Sequence, residues 1–500
     1  MAMYANTQLP KELADAVAKL EDVARGAGLD FFPTIFELVD YSQLSEIASY
    51  GGFPTRYPHW KFGMEYDQLS KSYEYGLSII YEMVINNNPC YAYLLRANSM
   101  VYQKTVIAHV FGHCDFFKNN YYFSKTNRKM LDQMANHATF VRRAINEIGQ
   151  DEVENFLDVC LSLENLIDIT APYRTAPSTH KVDTDIGSDR PGVAPKLMSK
   201  NYMDSYINPK EFLAAQQEKM AKEAERSKSF PENPERDVLK FLLDNAPLNG
   251  WQKRILELVR DESYYFAPQG QTKILNEGWA TYWHSIMMTK LAPLESSEIV
   301  DYCDHYAGVV AASPGSINPY KIGVELLRHI EHRWDHGQFG IDYLDCDDPV
   351  KRKNWNTEAG LGRKKIFEVR KIHNDLTFID EFLDEDFCHK HKMFIYDYDK
   401  RSGKYHISSR DFKPIKQKLL SQITNFGQPI ISVVDGNYKN RGELLLRHQH
   451  NGVDLKNDFA VECIKNLFKI WSRPVHLESI VEDTPRRLSF DGKNHDIEKI

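Results

Sequence analysis

At 500 residues, against roughly 150 per domain, the chain has room for two or three domains, and 42% hydrophobic content gives each a core. Lysine and arginine number 62 against 70 acidic residues, a net charge of −8, so no general basic field exists to hold nucleic acid or an anionic membrane surface. The opening MAMYANTQLPKELADAV lacks the charged, apolar and small-residue regions of a secretory signal. No run of about 18 apolar residues is unbroken, the nearest being interrupted by Glu82, Asn86 to Asn88 or Arg96, so no membrane span is expected. Seven scattered cysteines without a C-x-x-C pair read as reduced thiols, which points to the cytoplasm.

From Lys11 to about Asp168, apolar residues recur at three- and four-residue steps, as in Leu13, Val17, Leu20 and Val23, and the first 170 residues read as a helical body. Gly51-Gly52-Phe53-Pro54 and Asn86-Asn87-Asn88-Pro89 mark loops between its helices. Residues 171–237 shift to a proline-rich and charged composition and read as a surface excursion. Helical periodicity returns over 238–390, including Val324 to Trp334 and Ile366 to Phe382, so the excursion interrupts one body whose halves are expected to pack together. Residues 391–500 alternate short β-rich runs (MFIYDYD, KYHIS, PIISVVDG, GELLLRHQ, HLESIV, RRLSF) with two helices, Phe412 to Phe426 and Leu455 to Trp471. Their order predicts a C-terminal α+β domain with a mostly antiparallel sheet.

The main chemical signal is VIAHVFGHCDFFKNN, residues 106–120. Four residues apart on a helix, His109 and His113 share a face and can reach one metal ion. Eighteen histidines in 500 residues give about 0.6 such pairs by chance, and His332 with His336 is a second, in a charged setting; the apolar surroundings of His109 and His113 distinguish the first pair. Gly112 weakens the helix by about 1 kcal/mol relative to alanine, which suggests close packing there. In LNEGWATYWH, residues 275–284, helical spacing places Glu277, Thr281 and His284 on one face of an otherwise apolar helix. Such an arrangement calls for a facing cation or a buried structural partner.

Two imidazoles and a carboxylate, from His109, His113 and Glu277, form the ligand set of catalytic zinc sites that keep an open position; iron and manganese also suit it, after zinc. The setting is similar to that of the zincin metallopeptidases, with one departure. In H-E-x-x-H the residue after the first histidine is the general base, and here it is Val110. A base would come from Asp115, Glu164 or His284, or the metal would serve another chemistry or the fold alone; His137 and Glu164 are further candidates for the surroundings of the site. Phosphate-cradling and nucleophile-elbow motifs are absent from the sequence.

YPHWKFG (57–63), NNNPCYAYL (86–94), AHVFGHCDFFKNN (108–120), NEGWATYWH (276–284) and INPYKIG (317–323), in this order, resemble the SpoVR (stage V sporulation protein R) family. The resemblance implies a cytoplasmic protein linked to spore-cortex formation or a stress response, with a PrkA-like serine kinase and a von Willebrand A-type protein as pathway partners. It implies no biochemical activity. The expected molecule is a mainly α-helical, zincin-like body with a C-terminal α+β domain, acting as a divalent-metal-dependent hydrolase. The alternative is a non-enzymatic adaptor with a structural site.

Overall fold

In the computed structural model, which describes residues 9–74, 82–174, 230–292, 294–311 and 317–500 and a few positions between 203 and 218, the first histidine pair lies on the helix Met100–Asn119. Every residue from Thr105 to Phe117 is buried. A helix apolar on all sides is a central one, and this one is covered by the helices Lys11–Gly26 and Lys273–Ile286 and by a small sheet. Its contact with Lys273–Ile286 is unusually close, because a Cβ at Gly112 would stand 2.7 Å from the Cα of Ala280. On its far side Lys273–Ile286 meets the helix Pro319–Asp335 just as closely, a Cβ on Gly278 falling 2.4 Å from the backbone of Gly323. Two glycine-lined crossings therefore fix Lys273–Ile286 between its neighbours. Its N-terminus is held by the Asp375 carboxylate, which accepts from the amides of Ile274 (2.8 Å) and Leu275 (2.9 Å).

The sheet is a feature that helical periodicity hid. Strands β1 (Thr34–Val39), β2 (Glu82–Ile85) and β3 (Cys90–Leu95) lie in the order β1-β3-β2, with β1 parallel to β3 and β2 antiparallel to it. These strands are four to six residues long, and CYAYLL is almost continuously apolar, so no alternation betrays it. The Asn86 to Pro89 segment is a turn, as its composition suggested, but it joins the strands β2 and β3 and not two helices.

The compact units follow different boundaries from the compositional ones. One comprises Met1–Gln150 with Tyr264–Gly427, and the other Asp151–Ser263 with Gln428–Ile500. The hairpin of β4 (Ile395–Asp399) and β5 (Lys404–Ser409), with the helix Phe412–Ile423, falls in the first unit. In the second unit, β6 (Ile431–Tyr438), β7 (Glu443–His448), β8 (Val475–Val481), β9 (Thr484–Phe490) and β10 (His495–Lys499) form a sheet in the order β10-β9-β8-β7-β6. Only β7 and β8 run parallel, joined through the helix Asn457–Trp471, so the sheet is mostly antiparallel as predicted. The predicted helix Ile366 to Phe382 is two, Gly362–Ile372 and Asp375–Phe382, because Asn374 caps the second with Thr377. Most of the proline-rich excursion lies outside the described residues. Among those described, no helix is long and apolar enough to cross a membrane.

Candidate metal centre

On Met100–Asn119 the rings of His109 and His113 stand edge to face, 4.6 Å between centroids. Each has its Nδ1 taken by a residue of the neighbouring helix. His113 Nδ1 meets Asn276 Oδ1 and His109 Nδ1 meets His284 Nδ1, both at 2.9 Å. These contacts turn both Nε2 atoms toward Glu277, which lies 3.5 Å from that of His109 and 3.4 Å from that of His113. A metal-binding histidine is normally oriented in this way, by a bond to its other nitrogen. The motif NEGWATYWH thus supplies the carboxylate and both orienting groups.

Glu82 completes the cluster. The first residue of β2, it brings Oε1 to 3.1 Å from His109 Nε2 and 3.7 Å from His113 Nε2. Glu82, His109, His113 and Glu277 offer four ligand atoms within 4.8 Å of one another, the arrangement a single cation requires. Sequence reasoning missed Glu82 because its strand was not recognised. The available signal was an acidic residue interrupting the apolar stretch LSIIYEMVI.

The cluster suits a divalent cation. His109 Nε2 and Glu277 Oε2 are buried and make no hydrogen bond despite their ion-pair distances, and two imidazoles with two carboxylates form a nitrogen and oxygen set for zinc, iron or manganese. The charges agree. Burial opposes a charge on His113, yet Glu277 and Glu82 push its pKa up to about 10. Burial would raise the Glu277 carboxyl, but His113 and His109 hold it well below the usual carboxylate range. A site that captures a proton so firmly is one where positive charge is strongly favoured. The imidazoles are closed off, at 5–6% side-chain exposure, while the Glu277 and Glu82 side chains keep 17% and 21%, with Glu277 Oε2 itself buried.

The remaining sequence candidates are placed elsewhere. Asp115 is fully buried, accepting from the Asp30 amide (2.7 Å), Trp279 Nε1 (2.8 Å) and Arg370 Nη1 (2.5 Å); burial raises its pKa to about 6 against the pull of Arg370. It ties the two helices to Gly362–Ile372 and does not enter the cluster. His284 touches the cluster through His109, and burial together with His109 and His305 puts its pKa well below the ordinary histidine value. Glu164, in the turn after the helix Gln150–Ser162, belongs to the second compact unit and is not among the clustered ligands. His137 is buried in the helix Met130–Ile148 and outside the cluster. His332 and His336 stack at 4.0 Å, with His336 Nδ1 at 2.8 Å from the His332 carbonyl. They gather no carboxylates, and among the described residues the Glu82 cluster alone brings three or more such ligands together.

A family model described as "SpoVR like protein" matches residues 7–428, and one described as "SpoVR-like C-terminal domain" matches residues 429–482. Their junction adjoins the division of the compact units at Gly427 and Gln428. "Uncharacterized protein YcgB" of Escherichia coli (strain K12) is 30% identical over 499 residues, covering 93% of this chain and 91% of its own length. No solved structure matches the chain.

Proposed function

This chain belongs to the SpoVR family, and from that premise we propose that it is a divalent-metal-dependent hydrolase of amide bonds, zincin-like in the setting of its site. The observation that carries this reading is the convergence of Glu82, His109, His113 and Glu277 within 4.8 Å, with the two carboxylate side chains the more exposed of the four. A purely structural zinc site is closed by four ligands, commonly thiolates, whereas a catalytic one keeps a position for water. A bound divalent cation would supply Lewis acidity and a water of lowered pKa.

His109 and His113 would hold the cation by Nε2 and Glu277 by its carboxylate, with zinc first and iron or manganese as alternatives. Val110 is fully buried and occupies the position of the usual glutamate base. Glu82 replaces it from a different element, its Oε1 placed beside both Nε2 atoms where a proton from water can be accepted. His284 and Asn276 orient the imidazoles. The place of action proposed is the cytoplasm, which the seven free thiols support. Spore-cortex formation or a stress response is the process that the family name suggests, with a PrkA-like serine kinase and a von Willebrand A-type protein as partners.

Elemental analysis of untagged protein tests this reading, beside a His109→Ala/His113→Ala variant checked for folding and a screen of peptide amides. About one metal per chain, lost in the folded variant together with amide hydrolysis, is expected. Protein that takes up no zinc, iron or manganese, even anaerobically, would overturn it.

A second reading, a non-enzymatic adaptor with a structural metal, is favoured by β10, an edge strand whose five residues are all exposed and able to pair with a partner's strand. It predicts a metal that stays fully coordinated by protein and no hydrolysis in the same screen.

A further inference from the structure

Beyond His284, the side of the centre away from its carboxylates carries buried polar atoms that the protein does not satisfy. Between two facing Nδ1 atoms, one bears the proton. With His109 Nε2 turned to the carboxylates and offering its lone pair to a cation, the His109 proton sits on Nδ1 and is donated to His284 Nδ1. A neutral His284 then carries its own proton on Nε2, which is buried and has no hydrogen-bond partner.

Two hydroxyls share that condition, Thr281 Oγ1 on the same helix and Tyr302 on the helix Ile299–Val309, and the Tyr306 hydroxyl on that second helix faces Arg328. The two phenol rings stand 6.2 Å and 5.9 Å from the His284 ring and 6.1 Å from each other. Thr281, His284 and Tyr302 are at most 5% exposed. Beside them is Arg328, which donates to Ser285 Oγ at 3.2 Å and pairs with Glu325 at 2.9 Å. Its charge interacts with His284, Tyr302 and Tyr306.

Buried polar groups in native proteins find partners, so an unsatisfied imidazole with two unsatisfied hydroxyls on its own and the neighbouring helix requires an explanation. One water accepts two hydrogen bonds, fewer than the donors gathered here. A carboxylate accepts about four and has the charge that Arg328 complements. A phosphate dianion fits less well, because Arg328 is the one arginine in this group and Glu325 already shares its charge.

We propose that Thr281, His284, Tyr302 and Tyr306, with Arg328, form a subsite for a carboxylate group adjoining the metal centre, so that the substrate of this site is an amide bearing a free carboxylate near the bond to be cut. This rests on the hydrolase reading for the word substrate, but the subsite itself does not require catalysis.

The test is calorimetric titration of the full chain, loaded with zinc, with succinate, its uncharged counterpart succinamide, and inorganic phosphate. Succinate should bind and succinamide should not. Tyr302→Phe, which removes one oxygen, should weaken succinate binding tenfold or more while zinc stoichiometry stays unchanged, and Arg328→Met should do the same. No binding of succinate, equal binding of succinamide, or affinity indifferent to both substitutions would overturn the subsite. Phosphate binding as tightly through the same residues would replace the carboxylate with a tetrahedral oxyanion and overturn it as stated. Succinate bound normally by a chain that hydrolyses no peptide amide would leave the subsite standing and remove the hydrolase reading.

Discussion

The two H-x-x-x-H pairs of this chain have the same spacing, yet one lies in a cluster of groups able to hold a metal ion and the other does not. His109 and His113 lie mid-helix in the core, with each Nδ1 taken by a neighbouring helix and both Nε2 atoms facing carboxylates. His332 and His336 sit at the end of Pro319–Asp335, the first exposed and the second half-buried, where stacked rings and a local carbonyl occupy them. Spacing creates the opportunity to share an ion. What decides is whether other elements bring acidic groups and orienting bonds to the same point.

The comparison breaks most sharply if the first pair is removed: His109→Ala/His113→Ala should abolish stoichiometric metal binding, read by elemental analysis of folded protein. Gly112→Ala should come next. Alanine favours a helix, but its Cβ would strike the Ala280 backbone, and overpacking of this kind costs about 1–3 kcal/mol. Denaturant unfolding should show that loss, with weakened metal binding as Glu277 is pushed from the histidines. Asn276→Ala frees the His113 ring and should lower metal affinity about 10–100-fold in a competition titration, with little change in folding.

Protonation sharpens the comparison further. In metal-free protein the raised His113 contributes stability that is full below its ordinary 6.5 and lost as pH rises through about 10. The depressed Glu277 contributes stability present above its ordinary 4.5 and lost as pH falls through its lower folded value. The metal-free chain should therefore lose thermal stability from pH 6.5 to 10, and metal uptake at pH 8 should release about one proton, measurable by titration in two buffers of different ionisation enthalpy. The smallest effect belongs to the second pair. His332→Ala/His336→Ala should leave metal content unchanged and stability within about 0.5 kcal/mol, as for exposed positions generally. A loss of metal there would reverse the assignment of the two pairs.

Much of the centre was legible in the sequence because it is written within single helices. The i, i+4 relation of His109 and His113, and the shared face of Glu277, Thr281 and His284, follow from helical periodicity alone. Gly112 likewise announced a close approach, which the contact with Ala280 accounts for. Asp115 shows the limit of that logic: two residues from His113 in sequence and ionisable, it points into a buried group with Trp279 and Arg370. Residues two apart on a helix diverge by about 200°, so proximity along the chain says little about a shared site.

What the sequence by itself determined is the family, the helical character of the elements that bear the centre, the mixed helix and strand order of the C-terminal portion, and three of the four clustered ligands. Only the tertiary structure decided that Glu82 joins them, that Asp115 and Glu164 do not, and that β4 and β5 fall with the first compact unit. The physical reason is range. Periodicity records which face of an element is apolar, a local property, whereas Glu82 reaches His109 through the antiparallel pairing of β2 with β3 and the packing of that sheet on Met100–Asn119. Both depend on contacts between residues far apart in the chain, and no single segment encodes them.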